Sequence, residues 1–366
     1  MVRPSFAEVD LAAVAANVAA IAEEVAPASL CAVVKADGYG HGDVAVAQAA
    51  REAGAGRLAV ALVEEGIRLR RAGLEGPVLV LSEPPLSAAR EVLRWRLTPT
   101  VYRSEFVEAL EREADVRQAV HLKVDTGMHR VGADAEQALE IARLVSDSER
   151  LELEGVWTHL AVAESDPRFT RHQLAAFHGF LRDLTDKGIE PRLAHAANTA
   201  AALLYPEARL DMVRVGLGLY GLRPAPHVAP ALPLRPAMRV VSHVSLVRRL
   251  PPGARPSYGR RRSLPSAATV ATVPIGYADG VPRALAERGG EVLWGGRRLP
   301  FAGTITMDHV MVDAGDLPVA VGDEVVLLGR QGDEEVTADE WAERLGTINY
   351  EVVSRIGPRL ERRYHR

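Results

Sequence analysis

The chain is poor in cysteine and in lysine. A single cysteine, Cys31, among 366 residues excludes an internal disulfide and a thiolate metal cluster. It lies inside an apolar run and reads as a small core residue. Only Lys35, Lys123 and Lys187 among the 44 basic residues are lysines; the others are arginines. Where arginine fills almost every basic position, a retained lysine points to chemistry that needs an amine able to lose its proton. Charge of one sign is not in excess: a net charge of −4 and a pI near 6.3 leave no electrostatic footprint for nucleic acid. No apolar run approaches the roughly 20 residues of a membrane span. Glu8, Asp10, Glu23 and Glu24 flank the alanine-rich opening segment, which speaks against a secretory signal, so a cytoplasmic protein is expected. The 11 histidines contain no His-x-x-x-His pair beside an acidic ligand, so no metal site is expected.

What is present is a repeated alternation. Short apolar runs at 30–35, 57–61, 77–81, 97–101, 120–124, 153–159, 191–194 and 211–215 are separated by amphipathic helical stretches at 44–53, 63–72, 87–94, 104–113, 135–146, 169–187 and 198–204. About eight strands alternating with helices fit a (β/α)8 barrel better than an open sheet. Residues 223–236 then hold five prolines, a linker composition. Beyond them come β-type runs at 237–247, 268–274, 292–294, 309–312 and 324–328 and one helix at 338–345. The expected fold is α/β: a barrel over residues 1–232 and a mainly-β domain over 233–366. The opening strand at 4–9 can pair with the second domain.

The stretch from Leu30 to Gly42 organises the rest. Its apolar run ends in Lys35 and breaks into a glycine-rich turn carrying Tyr39 and His41. A lysine at a strand's C-terminal end stands at the mouth of a barrel, where an amine can form a Schiff base with an aldehyde. Other strand ends add Lys123, Asp125 and Arg130, then His159, then His195, Asn198 and Thr199, then Arg214. Each has an ordinary explanation, a buried histidine or an ion-pair partner, but five strand ends converging on one mouth is harder to dismiss. Barrels often bind phosphate with the loops after strands 7 and 8. Here Asn198 and Thr199 open a helix, although Thr199 also reads as a plain N-cap, and Gly216 and Gly218 allow close backbone approach. A Schiff-base lysine opposite a phosphate site suits pyridoxal 5′-phosphate.

Val-Val-Lys-Ala-Asp-Gly-Tyr-Gly-His-Gly resembles the cofactor-lysine motif of the alanine racemases. Further anchors follow in order along nearly the whole chain: Lys-Val-Asp-Thr-Gly-Met-His-Arg, Thr-His-Leu, His-Ala-Ala-Asn-Thr, Val-Arg-Val-Gly-Leu-Gly-Leu-Tyr-Gly, Ser-Tyr-Gly, Gly-Tyr-Ala-Asp-Gly, Thr-Met-Asp and Asn-Tyr-Glu-Val. The resemblance implies that Lys35 carries pyridoxal phosphate as an internal aldimine and is one catalytic base, with Tyr258 the opposite base. Racemisation needs a base on each face of the α-carbon. Phenols, with an ordinary pKa near 10, need cationic help for this, which the resemblance assigns to His159 and Arg214. Arg214 would also face the pyridine nitrogen and leave it unprotonated.

Tyr39, Asn198, Thr199, Gly216, Leu217 and Tyr350 would bind the cofactor, mostly at its phosphate. Thr199 stands where most relatives have serine. Arg130 would meet the cofactor's phenolic oxygen and the substrate carboxylate, and the Met307 N–H the same carboxylate. Lys123 matches a lysine often carbamylated in the family. Tyr277, Arg283 and Asp308 resemble residues of the substrate corridor. The resemblance further implies a homodimer whose mainly-β domain supplies Tyr258 to the partner subunit's site, and a role in making D-alanine for peptidoglycan. Rival readings are a broader racemase acting on serine or basic amino acids, a fold-related decarboxylase, a non-catalytic cofactor carrier, and a nicotinamide-dependent oxidoreductase. The last is disfavoured because Gly38–Gly42 reads G-x-G-x-G rather than G-x-G-x-x-G.

Overall fold

The structure is a computed structural model and describes residues 3–230 and 232–366. The chain divides into two compact units. One is built from Ala13–Gly38 and Asp43–Arg235; the other takes the chain up to Ala12, Tyr39–Gly42 and Pro236–Arg366. Strand β1 (Phe6–Asp10) belongs to the latter.

The first unit is a parallel eight-stranded barrel. Its strands are β2 (Ser29–Val33), β3 (Arg57–Val60), β4 (Val78–Val80), β5 (Thr98–Val101), β6 (Gln118–Lys123), β7 (Leu151–Trp157), β8 (Leu193–His195) and β9 (Met212–Val215). They pair in the order β8-β7-β6-β5-β4-β3-β2-β9. The ring is nearly closed: between β8 and β9, the Asp211 N–H reaches the Ala194 carbonyl at 3.1 Å and the Arg214 N–H the Ala197 carbonyl at 3.0 Å. Helices cover the outer face, so strands such as β4 and β5 are buried at every residue, and β4 reads as an unbroken apolar run. Among the described residues no helix is long and apolar enough to cross a membrane.

In the second unit β1 pairs antiparallel with β10 (Met238–His243) and parallel with β18 (Glu361–His365). With β13 (Glu291–Trp294), β14 (Arg297–Pro300), β16 (Glu324–Gln331) and β17 (Glu334–Val336) they form a seven-stranded sheet. A second sheet joins β11 (Leu246–Leu250), β12 (Ala268–Val273) and β15 (Val310–Gly315) over a small core of Leu264, Ala268, Val270 and Ala302.

The helices at Ser104–Glu113, Ala135–Ser146 and Ala338–Leu345 have the bounds read from sequence. Three differences matter. The run at 237–247 is two strands in two sheets, because the Val244 and Ser245 N–H groups turn to Asp323 and Thr272 at 2.9 and 2.8 Å. The helix Asn349–Ser354, which carries Tyr350, was not legible as an element. The first barrel strand stops at Val33, before Lys35, because Ala36, Asp37, Gly38 and Tyr39 all take left-handed backbone with φ of 53, 54, 59 and 52°.

Candidate active site

Lys35 opens that left-handed turn. Left-handed backbone disfavours residues with a Cβ by roughly 1–2 kcal/mol each, so the turn persists only if its surroundings dictate it. Glu65 does so: its Oε1 accepts the Ala36 N–H at 2.7 Å, and its Oε2 accepts those of Ala61 and Leu62 at 2.7 and 3.0 Å. The Lys35 amine is half-buried. Burial and then the Arg130 charge lower its pKa against the opposing pull of Glu65. Its proton is held weakly, as a nucleophilic amine requires.

Across the mouth, β6 and β7 deliver Lys123 and Trp157. The Lys123 ammonium stands 4.3 Å from the centre of the Trp157 ring and the Arg214 guanidinium 4.6 Å from it. Two cations near one aromatic ring gain from its quadrupole while repelling each other. Burial, followed by the charges of Arg214 and Arg130, brings the Lys123 pKa down to about 7. After it, Asp125 anchors a turn by accepting from the N–H groups of Gly127, Met128 and His129 at 2.9, 3.0 and 3.1 Å. Arg130 follows this turn and is exposed.

Arg214, on β9, is buried, and burial lowers its pKa to about 10. Among the described residues it makes no salt bridge. Its Nη2 donates to the carbonyls of Thr158 and Ala196 at 2.8 and 2.9 Å and to His159 Nδ1 at 3.3 Å, and its Nη1 donates to His195 Nδ1 at 2.8 Å. Burial, and then Arg214 itself, hold both histidines well below the ordinary histidine pKa, so they are neutral.

Asn198, rather than Thr199, is the N-cap of the helix Thr199–Leu204; its Oδ1 accepts the Ala201 N–H at 3.0 Å. Thr199 is thereby released from capping. Its Oγ1 accepts the Gly216 N–H at 3.1 Å, which leaves its hydroxyl proton to be donated elsewhere. Leu217 opens a short 3-10 turn after Gly216.

The second unit holds the remaining candidates. The Tyr39 and Tyr350 rings lie 6.2 Å apart at 44°. Burial, then Tyr350, raises the Tyr39 pKa, which keeps that phenol a hydrogen-bond donor. The Tyr258 carbonyl accepts from Thr304 Oγ1 at 2.8 Å, while Ser257 Oγ donates to the Thr304 carbonyl at 2.6 Å. Ser257 itself has φ of 71°, so the residue ahead of Tyr258 is strained. The Tyr258 side chain is 76% exposed. Tyr277, Met307 and Asp308 come together: Tyr277 N–H meets the Thr306 carbonyl at 3.0 Å, and Ala278 N–H meets the Met307 carbonyl at 3.1 Å. Asp308 pairs with Arg359 at 2.7 Å. Tyr277 and Arg283 line a cavity of about 640 Å³ with Glu351 and Arg355, and Asp308 is not part of its wall.

Reading by motif passed over Glu65, His121, Glu154 and Trp157. Glu65 sits in a charged run and resembles surface. His121 lies between apolar Val120 and Leu122, and Glu154 in a Leu-Glu-Leu-Glu alternation that resembles a half-exposed strand.

The matching families are alanine racemase, N-terminal domain, over residues 9–224 and alanine racemase, C-terminal domain, over residues 237–364. An alanine racemase from Symbiobacterium thermophilum is 47% identical over 99% of this chain and 97% of its own. The alanine racemase from Bacillus anthracis, solved with bound L-Ala-P, superposes with a TM-score of 0.94 at 37% identity, covering 100% of this chain and 96% of that one. A histidine racemase from Leuconostoc mesenteroides has the same fold at a TM-score of 0.91 and 29% identity, covering 100% of this chain and 99% of that one.

Proposed function

The chain belongs to the alanine racemase family, and from that premise we propose how its residues divide the work of interconverting L- and D-alanine. The protein is an isomerase that depends on pyridoxal 5′-phosphate. Its residues fit that cofactor. Lys35 offers an amine with a weakened hold on its proton. Thr199 offers a hydroxyl proton, beside a glycine, Gly218, at which a Cβ would stand 3.0 Å from the threonine methyl. The observation that carries the reading is Arg214: a buried cation, held by carbonyls and neutral imidazoles, on the barrel mouth that Lys35 also reaches.

When bound, the cofactor supplies an electron-withdrawing ring that stabilises negative charge at the substrate α-carbon. Lys35 holds the cofactor and moves the α-proton on one face. Tyr258 moves it on the other, with Arg214 supplying the nearby positive charge that a phenol needs as a base and neutral His159, which accepts from Arg214, relaying its influence. Arg214 would face the ring nitrogen without protonating it, since a guanidinium does not give up its proton there. That would temper the ring as an electron sink and limit side reactions such as transamination. Thr199, Asn198, Gly216, Leu217, Tyr39 and Tyr350 hold the phosphate end. Arg130 orients the phenolic oxygen and the substrate carboxylate, to which the Met307 N–H also donates. Tyr277, Arg283 and Asp308 line the approach for substrate. The 76% exposure of Tyr258 suits a homodimer in which it completes the partner subunit's site. In the cytoplasm such an enzyme would supply D-alanine to peptidoglycan.

Borohydride reduction of the yellow holoprotein, followed by peptide mapping, tests the assignment. The cofactor is expected fixed on the peptide carrying Lys35 and absent from Lys35→Ala; a label on Lys123 or Lys187 would overturn it.

A further inference from the structure

A chain of hydrogen bonds runs from Arg214 away from the mouth and through the barrel interior. Arg214 Nη1 donates to His195 Nδ1 at 2.8 Å; His195 Nε2 lies 2.9 Å from His121 Nδ1; His121 Nε2 lies 3.1 Å from Glu154 Oε2. Both ends dictate its direction. A guanidinium can only donate and a carboxylate can only accept. His195 must therefore accept at Nδ1 and donate from Nε2, and His121 must do the same. Each imidazole is neutral with its proton on Nε2, and no other proton arrangement satisfies every contact. Glu154 is fixed as an anion by Arg57, at 2.6 and 2.9 Å to its two oxygens, and by Arg192 at 2.8 Å. It faces an arginine-rich cavity of about 1340 Å³ lined by the first residues of β4–β6 or those just before them.

The surroundings are shaped for this chain. Gly155, paired with His121 across β6 and β7, leaves room for the ring: a Cβ there would lie 2.6 Å from His121 Cε1 and Nδ1. The ladder shifts register between Val120 and His121, an irregularity of the kind that re-aims a side chain. Trp157 stacks on His195 at an interplanar angle of 7°. His121, His195 and Glu154 are 0, 0 and 5% exposed, so water does not satisfy them instead.

We propose that His121 and Glu154 are positioning residues for the racemisation, acting through His195 to fix the orientation of Arg214 and to provide the remote negative charge that balances it. The inference rests on the reading of Arg214 as the cofactor's neighbour, but its first test does not depend on turnover. Solid-state nitrogen NMR of holoenzyme labelled in histidine, at pH 8, reports which ring nitrogen carries the proton. His121 and His195 are expected as neutral Nε2–H tautomers. An Nδ1–H form or an imidazolium at either would overturn the chain.

Glu154→Gln replaces a pure acceptor by an amide that can donate. It is expected to mix the tautomers at both histidines and to lower kcat by about tenfold to a hundredfold, as when the group orienting an imidazole is lost at other sites. KM for alanine should stay within about twofold. Glu154→Asp keeps the charge and should restore the tautomers and most of kcat. Unchanged tautomers in Glu154→Gln, or an equal loss of kcat in both variants, would refute the positioning role while leaving the assignment of Lys35 untouched.

Discussion

Lys123 should react with carbon dioxide. Its pKa of about 7 leaves about half of the side chain as free amine at neutral pH, against about 0.03% for a lysine at the ordinary 10.5. The nucleophilic fraction is thus raised roughly a thousandfold by burial and by the charges of Arg214 and Arg130. Carbon dioxide adds to the neutral amine: a nitrogen–carbon bond forms, one proton leaves and an anion results, so that relative to the ammonium two protons are lost and a cation is replaced by an anion. The neighbouring charges that disfavour the ammonium then favour the product, because the signs of their interactions reverse. The carbamate would also lie within the influence of Arg130 and steady it. The assay is carbon NMR of holoenzyme equilibrated with labelled bicarbonate, comparing wild type with Lys123→Ala. A carbamate signal in the wild type alone is expected, together with kcat that falls when bicarbonate is stripped and recovers when it is returned. A plain amine at Lys123 under saturating bicarbonate would refute the reasoning.

Other consequences can be checked together. Gly155→Ala should cost about 1–3 kcal/mol in denaturant unfolding, since its Cβ cannot coexist with the present His121 ring; a neutral effect would mean that the ring moves at no cost. Glu154 carries a pKa lowered to about 2 because hydrogen bonds from His121 and Arg57 outweigh its burial. Since the folded value lies below the ordinary 4.5, its roughly 3 kcal/mol is present above pH 4.5 and is lost as pH falls towards 2. Glu154→Gln should accordingly flatten the acid limb of the stability curve, and an unaltered limb would count against the pairing. Mixing inactive Lys35→Ala and Tyr258→Ala proteins under subunit exchange should recover activity from the one site per mixed dimer that regains both residues. No recovery, with exchange demonstrated, would place both residues of a site in one chain.

Much of this was legible because parallel strands buried on both faces read as apolar runs and because the strand ends carry the polar residues. The same rule concealed other parts. Lys35 looks like the last residue of a strand, yet the strand stops at Val33; nothing in Lys-Ala-Asp announces a left-handed turn, which Glu65 holds at the Ala36 N–H and Asp37 closes by accepting the Asp43 N–H. Asn198 takes the capping role, and that choice between neighbouring hydroxyl and amide is made by the close approach of Gly216 to Thr199. The helix holding Tyr350 is six residues long and lacks a capping side chain to announce it, since Ile348 stands at its N-cap. His121 and Glu154 escaped because Leu-Glu-Leu-Glu alternates like a half-exposed strand, whereas in a barrel the inward face is where such a carboxylate meets its histidine.

The most direct measurement is chiral chromatography after incubating holoenzyme with an equimolar mixture of L-alanine, L-serine, L-lysine and L-arginine. D-alanine is expected far ahead of the other D-amino acids. Comparable formation of D-serine or of basic D-amino acids would leave the barrel and its bases standing but contradict the specificity for alanine, and no racemisation by a yellow, borohydride-reducible protein would contradict the function itself.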